Sequence, residues 1–436
     1  MLNRCTPARA VPACAECRRR LSRRVSRAVL RGVEPGFGEL WAAAGAEPST
    51  PPVTLASTPL GRGLVASRGL KRGELVVSIP LSVCLLVQDG EAEGGPSEAR
   101  LARSLLAVVA DAESFWHGYQ HLLPTMTGAV SLWPASSVDE LQWPAAVDAA
   151  QGARLHWRGL AARMGSGERA LWALSMVHSR SFAVNLPDSG RLRVLAPLCD
   201  LVNNEQPSAT EAACAGEDDE VMPWRVQDGR FELRAVRDFS AGDEVVMYYG
   251  HETSLELLMS YGFIPSPNPV DHVVLYADIE ELLDDDRWTP PETPRTRREK
   301  AAMLRGADAA AAPLAVRPGG LPAMAHLLGC LRVMHCPASQ LSRLEERFDA
   351  AVGHAVWHWC EGDAELQRTV DADALAQACA RARELLEELP TTLEEDLASM
   401  EQELQVNGVQ ALRYRMEVKK LLLSLANSTR TSRGGV

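Results

Sequence analysis

At 436 residues the chain is long enough for two or three domains and a sizeable core, and its 46% hydrophobic and 23% charged content is that of a globular protein. Its formal charge of −12 is uneven: residues 1–31 hold nine Arg and one Glu, about +8, leaving about −20 on the rest. An acidic body disfavours nonspecific nucleic-acid binding and suits a basic protein partner, although it also serves plain solubility, and no apolar run approaches the roughly 18 residues of a membrane helix.

The Arg-, Ala- and Ser-rich start reads either as an organelle transit peptide, of a chloroplast or another organelle, or as a disordered basic tail on a cytoplasmic protein. Cys14 and Cys17 lie in that leader with no second pair nearby, so no metal site is expected there or elsewhere. Pro-Ser-Thr-Pro-Pro at 48–52 opens a β-rich segment. Within it, Gly61-Arg62-Gly63-Leu64-Val65-Ala66, a turn at 69–74 and the strand 75–80 predict a small meander, with close backbone approach at Gly61 and Gly63. Residues 88–97 read as a loop, and from 98 to 174 apolar residues recur at helical spacing between Pro124, Pro134 and Pro144. Residues 231–236 alternate as a half-buried strand.

Gly242-Asp243 then predicts a turn and residues 245–249 a strand. Gly250 frees the backbone, and Leu255, Leu258 and Met259 mark a short helix stopped by Tyr261-Gly262-Phe263. Tyr249 is thus expected at a strand end and Tyr261 at a helix end, either converging on one cleft or serving as half-buried core residues. Asp200 and the Asn203-Asn204 pair sit in an apolar stretch, which is costly to bury without partners. After Asp284-Asp285-Asp286 and an alanine-proline linker at 309–318, the remainder reads as helical. Thr392 and Glu395 form a capping-box pattern, followed by Leu393, Leu397, Met400 and Leu404 as a core-facing stripe.

In this order the pieces resemble the SET-domain protein methyltransferases of the Rubisco large-subunit lysine methyltransferase type. The resemblance rests on Gly-x-Gly-Leu-Val-Ala at 61–66, Ser179-Arg180-Ser181-Phe182, Asp200-Leu201-Val202-Asn203-Asn204, the 242–249 block and Tyr261-Gly262-Phe263. Ser114, Trp116, Tyr119, Leu123 and Pro124 are similar to a signature of the family's insertion, and residues 389–397 and 411–415 to its helical domain. The resemblance covers roughly residues 50–428.

It implies an α+β fold: a basic leader at 1–47, a β-rich SET domain at 48–280 with a helical insertion at about 91–174, and a linker with an all-α substrate-docking domain at 281–436. It implies a protein-lysine N-methyltransferase that uses S-adenosylmethionine on a protein substrate and works as a monomer, without metal, nucleic acid or membrane. Leu60, Gly61, Arg62, Asn203, Asn204 and Phe263 would hold the cofactor. Tyr249 and Tyr261 would be catalytic and line the substrate channel. Arg180 and Asp200 would lie on the substrate side, or equally form a buried pair tying strands together. Protein-histidine methylation on the same fold and a non-catalytic scaffold are the alternatives.

The sequence departs from the family at Asn204, where histidine is usual, and at Val184 and Ala215, where the Rubisco enzyme carries Arg and Tyr. If the histidine acts through its backbone, the first change is silent; if its ring braces the crossing of strands, Asn204 weakens it. The other two put Rubisco itself in doubt as the substrate.

Overall fold

The computed structural model describes residues 31–165, 167–186, 190–206, 223–250, 252–285, 292–306, 313–349, 354–360, 363–403 and 405–428. The Arg-rich leader up to residue 30, Ala215, Asp286, the start of the alanine-proline linker and Leu404 lie outside the described residues. The chain forms two compact units. The described part of one comprises residues 31–123, 180–205 and 223–249, and that of the other 124–179, 206 and 250–428.

The first unit is built from small antiparallel sheets. Strands β1 (Arg31–Val33), β2 (Val53–Thr58) and β3 (Gly61–Ala66) form one, β2 turning into β3 through Pro59 and Leu60. A second sheet holds β4 (Leu75–Pro80), and a third holds β5 (Leu85–Gln88). Residues 91–96 are not a plain loop: β6 (Glu91–Ala92) and β7 (Gly95–Pro96) make a tight hairpin whose Gly94 and Gly95 sit at φ +93° and +95°. Helix α1 (Phe37–Ala43) lies between β1 and β2, and α2 (Ser97–Ala110) and α3 (Phe115–Tyr119) follow β7 in the same unit, Ser114 capping α3 by accepting the Trp116 N–H.

Later in the chain β8 (Ser181–Leu186) and β9 (Gly190–Leu195) complete the β5 sheet, and β11 (Trp224–Gln227) and β12 (Arg230–Arg234) complete the β4 sheet. Between them, β10 (Asn203–Asn204) runs parallel to β13 (Val246–Met247). The expected meander over 61–80 is therefore not formed. β3 pairs with β2, whereas β4 pairs with β12, placing Val77 opposite Leu233 and Ile79 opposite Phe231 in the core. β3 and β4 are buried in continuous runs rather than on alternate residues; β3 closes a hairpin with the neighbouring β2, whereas the partner of β4 comes from distant sequence.

The second unit is mainly helical: α4 (Ala135–Asp139), α5 (Pro144–Met164), α6 (Gly167–Arg180, its last residue in the first unit), α7 (Ser254–Ser260), α8 (Ile279–Asp284), α9 (Pro294–Gly306), α10 (Ala325–His335), α11 (Ala364–Glu387), α12 (Leu393–Met400) and α13 (Val406–Ala426). Trp133, Tyr276, Leu304, Leu331 and Leu425 lie in its core. Besides the short pair β14 (Val273–Tyr276) and β15 (Leu314–Val316), this helical region contains a hairpin, β16 (Leu344–Asp349) with β17 (His354–Trp359), which the sequence reading does not place. Gly329 of α10 lets β17 approach, because a Cβ there would lie 2.9 Å from the Trp357 amide nitrogen.

The capping box at Thr392 and Glu395 forms as expected. The apolar stripe after it faces the core only in part: Leu393 and Met400 are half-buried, Leu397 is 49% exposed, and the buried residue of α12 is Asp396, on the same face as Leu393 and Met400. Asp396 accepts from Lys419 Nζ at 2.5 Å, from Arg415 Nε at 2.9 Å and from the Thr391 hydroxyl at 2.7 Å, and Arg415 also reaches the Glu140 carbonyl at 3.0 Å. An ion cluster thus sits at the centre of the inward face of this helix.

Candidate active site

Within the first unit, three backbone segments meet around β10. The Val245 N–H donates to Leu64 O at 2.7 Å and the Gly242 N–H to Ala66 O at 2.8 Å, fastening the 242–247 segment to β3. The Glu205 N–H donates to Met247 O at 3.0 Å, extending the parallel β10–β13 pairing. At the start of β3 the Thr58 hydroxyl accepts the Leu60 N–H and donates to Gly61 O, so a side chain shapes the turn. Gly61 takes φ +119° with open space where a Cβ would stand, and Leu60 is exposed. The Arg62 guanidinium donates to the Leu122 carbonyl.

Asn203 projects from β10 toward that turn. Its Nδ2 donates to Glu244 Oε1 at 2.8 Å and to Arg62 O at 3.4 Å. Gly63 makes this possible: a Cβ there would lie 2.5 Å from Asn203 Nδ2 and 2.6 Å from Glu244 Oε1. Burial holds the Glu244 carboxyl above the ordinary glutamate value, partly offset by the hydrogen bond from Asn203. The corner is thus lined by acceptors, a carbonyl and a carboxylate around one amide.

The next residue, Asn204, is buried and turns the other way. Its Oδ1 accepts the Tyr249 N–H at 2.9 Å, while the Tyr249 hydroxyl donates to Val202 O at 2.7 Å. The Asn204 side chain therefore braces the strand crossing. The half-buried Arg180 pairs with the buried Asp200: Arg180 Nη1 lies 2.8 Å from Asp200 O and 3.3 Å from its Oδ2, and the Tyr119 hydroxyl donates to Oδ1. Burial raises the Asp200 pKa, and Arg180 and Tyr119 counter the shift without cancelling it. Val184 lies on β8, buried.

Tyr261 and Phe263 belong to the second unit. Tyr261 caps the end of α7, its ring centroid 6.0 Å from that of Phe263. Gly262 between them has φ +85°, and a Cβ there would lie 2.0 Å from the Gly128 carbonyl carbon, so only glycine fits the passing chain.

Residues 291–422 match the family described as Rubisco LSMT substrate-binding. The chain is 27% identical over 259 residues to "Protein SET DOMAIN GROUP 40" of Arabidopsis thaliana, covering 49% of this chain and 52% of that protein. It is 24% identical over 408 residues to the actin-histidine N-methyltransferases of Canis lupus familiaris and Homo sapiens, covering 86% of this chain and 65% and 64% of theirs. It thus spans about half to just under two thirds of the length of these curated relatives. Among solved structures, the SET domain of LSMT bound to MeLysine and AdoHcy superposes with a TM-score of 0.61 at 18% identity, covering 92% of this chain and 93% of the other. Rubisco LSMT bound to AdoMet gives 0.57 at 17% identity, with 92% of each chain covered. The chain has a SET-domain fold of the Rubisco LSMT type.

In this SET fold the structure brings Gly61, Arg62, Asn203, Asn204, Tyr249, Arg180 and Asp200 into the first unit, with Tyr261 and Phe263 in the second. Two of the residues that organise the site escape the sequence reading as site residues. Glu244 falls between the Gly242-Asp243 turn and the strand expected at 245–249; Tyr119 reads as part of an insertion signature. The one available signal was the cost of burying Asp200, which demands partners without naming them.

Proposed function

We propose that this chain is a protein N-methyltransferase that transfers the methyl group of S-adenosylmethionine to a lysine side chain. The observation that carries the reading is the double anchoring of Tyr249, through its N–H to Asn204 and its hydroxyl to Val202. With its proton committed to the Val202 carbonyl, the phenol oxygen faces other donors as an acceptor. It can take an N–H of an incoming amine and fix where the nitrogen lone pair points.

Such positioning matters because a free lysine of pKa about 10.4 is neutral in only about one molecule in 2,500 at pH 7, a deficit of roughly 4.6 kcal/mol. A phenol orients the amine without adding charge, and tyrosine's ordinary pKa near 10 makes it a poor general base at neutral pH. The chemistry of the neighbouring corner suits the cofactor's amino-acid end: the Arg62 carbonyl and Glu244 carboxylate accept from an ammonium, and Asn203 offers both donor and acceptor. When bound, S-adenosylmethionine supplies the electrophilic methyl group. Leu60 and Gly61 present main chain to it, which the open space at Gly61 permits.

Roles for Tyr261 in the substrate channel and Phe263 beside the adenine rest on the family resemblance, as does docking of the protein substrate on the C-terminal helical region. The two activities named among the similar proteins, on lysine and on actin histidine, make the acceptor the point to test. Radiolabelled S-adenosylmethionine, the full-length protein and a lysate of the source cell, followed by hydrolysis of the labelled protein, distinguish methyl-lysine from methyl-histidine. Methyl-lysine supports the reading, methyl-histidine replaces the acceptor, and failure to bind S-adenosylhomocysteine leaves a non-catalytic scaffold. In Tyr249→Phe, turnover should fall roughly 10²-fold or more with S-adenosylhomocysteine affinity unchanged; wild-type turnover refutes the role of the phenol.

A further inference from the structure

Tyr119 lies far from Tyr249 in sequence, yet the two are joined by one short run of backbone. Tyr119 is fully buried, packed edge-on against Trp116 with ring centroids 5.4 Å apart and stacked on Phe115 at 5.5 Å. Trp116 is itself tied down, its indole N–H donating to Val83 O at 2.9 Å. The Tyr119 hydroxyl makes two hydrogen bonds: it accepts the Leu198 N–H at 2.8 Å and donates to Asp200 Oδ1.

Leu198 is a non-glycine residue at φ +69°, ψ −41°, a conformation that L residues rarely hold. It precedes the single 3₁₀ turn Cys199–Leu201, and the next carbonyl, Val202 O, receives the Tyr249 hydroxyl. The phenol of Tyr119 thus satisfies the amide of the strained residue at one end of the turn. It also holds the carboxylate that Arg180 clamps from the other side. A buried, strained conformation persists only when its surroundings over-determine it.

We infer that Tyr119 is a positioning residue: by locking the 198–202 turn it sets the height of the Val202 carbonyl and so the direction of the Tyr249 phenol. The inference rests on the proposed role of Tyr249 for its catalytic meaning, but its structural content stands apart from catalysis. Removing the Tyr119 hydroxyl strands the Leu198 N–H and one Asp200 oxygen in the interior, and the turn relaxes. The Val202 carbonyl then shifts relative to Tyr249, while β10 remains paired with β13.

The test uses the full-length protein labelled with 13Cζ-tyrosine. The chain has six tyrosines, so the Tyr249 resonance is assigned by its loss in Tyr249→Phe. Tyr119→Phe should move the Tyr249 resonance. Tyr276→Phe, which removes another buried phenol bonded to Asp285 at 2.9 Å, should leave it in place. Turnover of Tyr119→Phe should fall roughly tenfold or more while S-adenosylhomocysteine affinity stays within about threefold. An unmoved Tyr249 resonance, or an equal movement in Tyr276→Phe, overturns the inference, as does turnover that survives Tyr119→Phe but not Tyr249→Phe. Turnover that survives both removes the catalytic reading of Tyr249, and the positioning role goes with it. Should Tyr119→Phe fail to fold, Asp200→Asn takes its place: it weakens the same clamp and must move the Tyr249 resonance, and an unmoved signal refutes the inference.

Discussion

Gly63→Ala separates the binding corner from the fold around it. An alanine Cβ at 63 would stand 2.5 Å from Asn203 Nδ2 and 2.6 Å from Glu244 Oε1, against ordinary contact beginning at 3.4 Å. Each atom must therefore withdraw by about 0.8–0.9 Å. Both are the far ends of side chains, so they can swing away without moving backbone, and Gly63 carries no left-handed φ that alanine would strain. The casualty is the Asn203–Glu244 hydrogen bond of 2.8 Å. A hydrogen bond to a charged group is worth about 1.5–3 kcal/mol, which corresponds to roughly 10- to 150-fold in a dissociation constant. Titration calorimetry with S-adenosylhomocysteine should show that loss, while thermal unfolding shifts by no more than a few degrees. An unchanged dissociation constant would sink the assignment of this corner to the cofactor. Affinity and Tm collapsing together would show that the pair holds the fold instead.

The pH dependence of the same corner follows from Glu244. Its pKa is raised by burial, so its carboxylate costs stability at neutral pH, a cost recovered as pH falls through the folded value. If that carboxylate accepts the cofactor's ammonium, S-adenosylhomocysteine affinity declines on acidification at a higher pH than the ordinary glutamate value of 4.5, and Glu244→Gln should abolish the decline. A decline of the same midpoint in Glu244→Gln assigns it elsewhere. Gly262→Ala adds strain at φ +85° and a clash with Gly128 backbone, and should destabilise by about 3 kcal/mol or more in urea unfolding; a loss below about 1 kcal/mol contradicts the close crossing. Asp396→Ala leaves the buried Lys419 without a carboxylate and Arg415 with only that of the exposed Glu140, and should cost about 3–5 kcal/mol, whereas Asp396→Leu with Lys419→Met should recover much of it. Equal losses in the single and double variants would disprove the charge argument.

The order of motifs already pointed to the fold, because turn and strand chemistry is local. Thr392 with Glu395 capped a helix as their spacing required, and Tyr261 fell at the end of α7 where the short apolar period ran out. Asn203, Asn204 and Tyr249 could be selected by motif order. Their bonds could not: the partner of Asn203 is Glu244 and that of Asn204 is the Tyr249 N–H, each more than forty residues away. The role of Asn204 as a brace therefore became visible only when β10 lay beside β13.

Sequence alone determined which residues share a face, since helical and strand periods follow from the covalent chain. Only tertiary structure decided which face is inside. At residues 393–400 the apolar period left Leu393 and Met400 half-buried, but Lys419 and Arg415 meet that same face, and the desolvated ion cluster holds Asp396 innermost while Leu397 stays exposed. The same holds for β4: its apolar residues announce a strand, but its pairing with β12 rather than with β3 is a non-local choice that a strand's own residues do not encode.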